Sequence, residues 1–102
     1  MEYKELTELV DKASELLQEK NFRAIKGLLE NEMPQDVAFL LEELPDKDMP
    51  IVFRLLSKEL AADTFVEMSS ESQEMLLNIF SDNELKAIFD EMFLACGFFF
   101  LS

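Results

Sequence analysis

The sequence predicts an all-α fold, a solenoid of about seven short helices, and three observations lead there. Leu, Glu, Met, Lys and Ala are abundant while Gly (2) and Pro (3) are scarce, which favours helix along most of the chain. A hydrophobic content of 49% gives 102 residues enough apolar surface to fold as a single domain rather than stay disordered. From Met33 onward, large apolar residues recur at intervals of twelve, at Leu44, Leu56, Met68, Phe80 and Met92.

In chain order, a first helix is expected over about Tyr3 to Glu19, and a second after Asn21, a residue suited to capping, to about Asn31. Beyond Met33, the recurring residues Leu44, Leu56, Met68 and Phe80 are each followed by Pro45, Ser57, Ser69 or Ser81. Each such pair reads as a stop and a start, because Pro and Ser begin helices, and Ser81 with Glu84 has the spacing of a capping box. With Met33, Pro45, Ser57, Ser69 and Ser81 as first positions, the fifth, eighth, ninth and twelfth positions form an i, i+3, i+4, i+7 stripe. Only Gln73 and Thr64 interrupt it, and the ninth-position residues Leu41, Phe53, Phe65, Leu77 and Phe89 are expected in the core.

The eleventh position alternates Glu43, Leu55, Glu67, Ile79 and Glu91, so the true repeat is a pair of helices. Helices with additional apolar residues, such as Ile51, Val52, Leu55 and Leu56, are expected to form an inner layer covered on more than one side. Pro50 fits only in a first turn, which places an N-cap near Asp48 and a helix over about Met49 to Leu56. Helices this short are marginal alone and must stack to bury their stripes, the logic of a solenoid.

The net charge of −13 and the absence of a basic stripe argue against nucleic acid as a partner. Catalysis has little to work with: there is no His, Cys96 has no His to activate it, and there is neither a Gly-rich phosphate loop nor a Cys/His metal cluster. The chain is read as non-enzymatic. A single Cys and a first stretch charged throughout predict a cytosolic domain without a signal peptide. Asp36, near a helix start, reads as a charge favourable to the helix dipole. Asp46 and Asp48 lack the Gly and distal Glu of a calcium loop.

Several spaced segments, "MPQDVAFLLEELPDKD", "FRLLSKELAADTFVEMS" and "SQEMLLNIFSDNELKAIFDEM", together resemble the cytosolic N-terminal domain of the MgtE family of magnesium transporters. The likeness covers about residues 1–92, which are taken as one MgtE N-terminal-like domain followed by an apolar tail at 93–102. The resemblance implies a right-handed superhelix of short helices on the cytoplasmic face of the membrane, part of a full-length homodimer with paired CBS domains and a membrane domain. It also implies regulation: Mg²⁺ bound between the N-terminal and CBS domains holds them together and favours a closed pore. The other reading is a helical-repeat protein interaction module with no ion dependence.

One acidic edge emerges from spacing alone. Glu59, Asp63 and Glu67 lie at i, i+4 and i+8 on one short helix with no Lys or Arg between them on that edge, either a solvated face or a cation site. Asp63 also falls where the family's Ala-Ala-acid motif (Ala61, Ala62, Asp63) puts an ion ligand. Mg²⁺ retains several waters and takes few carboxylates, so the isolated chain is expected to bind it only weakly. The ending "DEMFLACGFFFLS" is too short to span a membrane. It reads either as a cap on the last unit or, the favoured reading, as an altered frame, with Cys96 an apolar filler.

Overall fold

The structure, a computed structural model, describes residues 2–96, with side chains through Asp90. The described residues form seven helices and no strand: α1 Tyr3–Gln18, α2 Phe22–Leu29, α3 Pro34–Glu43, α4 Met49–Leu55, α5 Lys58–Glu67, α6 Ser70–Ile79 and α7 Asp82–Cys96. The expected tail feature at Phe98 to Leu101 lies outside the described residues.

The period of twelve has a local cause. Leu44, Leu56, Met68 and Phe80 each leave the helix with extended backbone (ψ 154°, 149°, 159° and 148°) and are buried, so each is a corner pinned into the core. The next helix starts at once. Ser57 and Ser69 accept from the backbone N–H groups of Leu60 and Ser72, both at 3.2 Å, and Asn21 accepts from that of Ala24 at 3.3 Å. Ser81 and Glu84 form the expected reciprocal capping box, at 3.1 and 3.3 Å. Pro50 sits in the first turn of α4 as required, and the turn that Pro45 opens delays the helix until Met49.

Helices α1, α3, α5 and α7 form a row in which each packs on the next, while α2 packs on α1 and α4, and α4 on α3. The molecule is accordingly longer than wide, 43 × 29 × 24 Å. The expected inner layer holds for α4 in part, since α4 packs on both α2 and α3, Val52 and Leu56 are buried and Leu55 is partly buried. The closest packing runs along the odd-numbered row instead. Ile51 is 40% exposed, Ile79 is 46% exposed, and α6 buries a single residue within its span, Leu76. The reason lies in a position the stripe did not include. The sixth position holds Ala38 in α3 and Ala62 in α5, both buried, and alanine at a helix contact lets two backbones approach closely. The eleventh-position glutamates of these helices simply point out of the row.

Leu41 and Phe53 are buried as expected, but Leu77 and Phe89 remain 39% and 44% exposed. They stand on α6 and α7, the last described helices, whose outward sides have no described neighbour to pack against, as at the end of any stack. The two interruptions of the stripe have different fates. Gln73 donates from Nε2 to the Phe65 carbonyl at 2.7 Å, satisfying a backbone acceptor at the end of α5. Thr64 is fully buried and its hydroxyl has no partner among the described residues.

Two stability outcomes follow. Thr64→Val removes the unpaired buried hydroxyl while keeping the side-chain shape, and should stabilise the fold by about 1 kcal/mol in denaturant titrations. Lys20, which ends α1, has φ 57°, and its N–H and that of Asn21 bond back to Leu17 and Leu16. Glycine adopts this left-handed conformation without a Cβ clash, so Lys20→Gly should gain about 0.5 to 1 kcal/mol in the same measurement. Loss of stability in either variant would contradict the corresponding assignment.

Candidate functional site

The Ser57 cap fixes the start of α5 and hence the phase of everything on it. With Ala61, Ala62, Thr64 and Phe65 turned into the stack, the remaining side carries Glu59, Asp63 and Glu67. Glu59 and Glu67 are exposed and Asp63 is half-buried. Successive carboxylates are separated by about 6 Å along the axis, at 1.5 Å per residue. None of the three makes an ion pair among the described residues, whose ion pairs are Arg54–Glu84 and Lys86–Asp90. Nor do three or more acidic, His or Cys side chains converge as an ion-holding cluster among the described residues. The edge therefore presents unpaired negative charge along a line, one wall of a possible site.

Two acidic residues that spacing did not single out as ligands have defined structural work. Glu42 of α3 accepts from the Ser69 N–H at 2.6 Å, which ties α3 to the start of α6. Glu84 completes the capping box of α7 and also takes Arg54 Nε at 2.8 Å and Nη2 at 3.4 Å. The hydrogen bond from Arg54, with the N–H of Ser81 second, lowers the Glu84 pKa from 4.5 to about 2. Arg54 lies 4.7 Å over the ring of Phe80, and Glu84 raises its pKa in return. The capping role of Glu84 was legible from its spacing to Ser81, whereas its pairing with a residue thirty positions earlier required the fold.

Beside this ion pair runs an open groove of about 220 Å³, floored by Phe53, Leu56, Phe80 and Ile88 and edged by Arg54 and Glu84. Lys58 and Ala61 from α5 also line it, so most of the surface it offers is apolar, with charged groups at the edge. Asp36 stands in the first turn of α3 and is buried, consistent with a helix-start charge. Asp46 and Asp48 belong to the turn before α4.

The family model of the MgtE intracellular N domain matches residues 32–95, more than half of the chain. The chain belongs to the MgtE intracellular N domain family. The match spans α3 to α6 and nearly all of α7, and contains Ala61, Ala62 and Asp63. No curated protein matches the chain. Membership makes this an intracellular domain of the MgtE family of magnesium transporters, a family of transporter domains and not of enzymes. No described helix of this MgtE N domain is long and apolar enough to cross a membrane.

The Arg54–Glu84 pair gives a pH-dependent outcome. Because the folded-state pKa of Glu84 lies below its ordinary value, its contribution is present above about 4.5 and fades as pH falls toward about 2. Glu84→Gln keeps a capping acceptor but removes the charge. The melting temperature of the variant should lie below wild type at pH 7, and the gap should close between pH 4.5 and 2 and narrow in high salt, since the pair is open to solvent. A gap independent of pH would remove the ion pair as its cause.

Proposed function

We propose that this chain is the magnesium-sensing regulatory domain of an MgtE-type transporter. In this reading the helices form a right-handed superhelix, and Mg²⁺ bridges the α5 edge to acidic groups of the adjoining CBS domains in a homodimeric protein. The docked arrangement favours the closed pore. The observation that carries the reading is Asp63: half-buried, unpaired among the described residues, and placed at the Ala61-Ala62-Asp63 motif inside the family match. Glu59 and Glu67, one turn to either side, supply long-range attraction for the cation and outer hydrogen-bond acceptors for its waters.

The chemistry suits a sensor. A single wall of carboxylates binds a strongly hydrated ion weakly, so occupancy requires the second domain, and the ion stabilises the docked state by its preference for that state. Without Mg²⁺ the same edges repel, and the domains separate. The second reading, a helical interaction module that ignores ions, draws on the lack of any three convergent carboxylates among the described residues.

Asp63→Ala separates the two. In the intact transporter the variant should lose much of the magnesium-dependent protection of the N domain from protease. The isolated chain should keep its melting temperature within about 3 °C, since substitutions outside the core rarely cost more than about 0.5 kcal/mol. Wild-type magnesium dependence in the variant would eliminate Asp63 from sensing and favour the ion-independent module.

A further inference from the structure

The helices differ in charge in a way the repeat does not require. α2 contains Arg23 and Lys26 and no acid, and α4 contains Arg54 and no acid, whereas each of the other five helices contains at least two Asp or Glu. α2 and α4 pack against each other, so the two non-acidic helices share one face of a chain whose net charge is −13. That face is also partly apolar. Phe22 and Lys26 are one turn apart on α2, Ile51 and Leu55 are one turn apart on α4, and Lys26 and Leu55 line the same small crevice. Phe22 is 39% and Ile51 40% exposed, although the sequence pattern of α4 asks for cover on that side. The acids of these two helices stand at their ends, as Asp48 before α4 and Glu30 after α2, and Glu30 lines the same crevice as Lys26 and Leu55 without pairing with Lys26. Arg54 is engaged by Glu84, which leaves Arg23 and Lys26 without an ion pair among the described residues.

We propose that the α2–α4 face is a docking site for an acidic amphipathic helix of a partner, whose apolar stripe covers Ile51, Leu55 and Phe22 while its carboxylates meet Arg23 and Lys26. Charge decides the sign of the partner, and dimensions decide its form. Eight residues of α2 give a strip about 12 Å long. That is enough for two to three turns of one helix, and far short of the roughly 1,200 Å² or more that a stable protein dimer buries. A wide anionic surface, such as a lipid bilayer, would meet the acidic remainder of the molecule as well and be repelled. A slender helix fits inside the cationic strip. The docking does not depend on magnesium: the crevice is bordered by Ser57 and Leu60 at the start of α5 and not by Glu59, Asp63 or Glu67.

The test uses the whole chain and a designed helical peptide of about 14 residues with Leu at i, i+3, i+4 and i+7 and Glu elsewhere, with a Lys-for-Glu version as control. Fluorescence anisotropy should show saturable binding of the acidic peptide that weakens at least tenfold in Arg23→Glu/Lys26→Glu, at least fivefold in Ile51→Ser, and steeply with added salt. Glu5→Lys, on α1, should leave it unchanged. Circular dichroism of each variant checks that the fold is retained. Equal binding of the Lys peptide, or an acidic-peptide affinity indifferent to charge reversal at Arg23 and Lys26, would overturn the proposal. So would comparable binding to vesicles containing anionic lipid, or self-association of the chain that Ile51→Ser abolishes, since a bilayer or a second copy would then be the occupant.

Discussion

The structure depends on a chain of aromatic contacts centred on Phe53. Its ring, 2% exposed, lies 5.4 Å from Phe80 and 6.4 Å from Phe65, and Phe65 in turn meets Phe89 edge-on at 6.4 Å. These four residues come from α4, the corner after α6, α5 and α7, so one connected cluster ties α4 and the end of α6 to the odd-numbered row. Helices of seven to ten residues do not hold themselves up in water, and only such side-to-side burial stabilises them. Ring pairs add about 0.5 to 1.5 kcal/mol each beyond the area they bury. They also fix relative orientation, which a layer of leucines would leave looser.

Given that cluster, the polar interactions at its margin become positional. Arg54 rests on Phe80 and reaches Glu84, so the cap of α7 is coupled to the packing of α4. Glu42 does the same for α6 from the side of α3. Both spend a carboxylate on structure, which distinguishes them from the unpaired acids of α5. The distinction matters because a chain with 22 acids offers many candidate ligands, and pairing removes some of them from consideration.

The two proposed contacts fall on different helices. The odd-numbered row carries most of the negative charge and, on α5, the line of carboxylates that suits a hydrated cation shared with another domain. The even-numbered helices α2 and α4 carry cations and exposed apolar groups suited to a different partner. A stack that presents unlike faces on its two sides can engage two partners at once without either contact distorting the other, because each helix touches mainly its neighbours.

Sequence alone determined what depends on nearest neighbours along the chain. The starts at Asn21, Ser57, Ser69 and Ser81, the first-turn placement of Pro50, and the corners at Leu44, Leu56, Met68 and Phe80 are all local hydrogen-bond and steric matters, and they stand where the periodicity put them. The spacing of Glu59, Asp63 and Glu67 on one edge was legible for the same reason. The tertiary structure decided that the odd-numbered row packs most closely, with the small side chains Ala38 and Ala62 buried on helices that pack together, and an apolar stripe does not say which helix faces it. It also decided that Thr64 is buried without a partner among the described residues while Gln73 finds one at the end of α5, and that Glu84 is tied to Arg54. Those outcomes depend on distances between residues far apart in the chain, which no pattern of spacing contains.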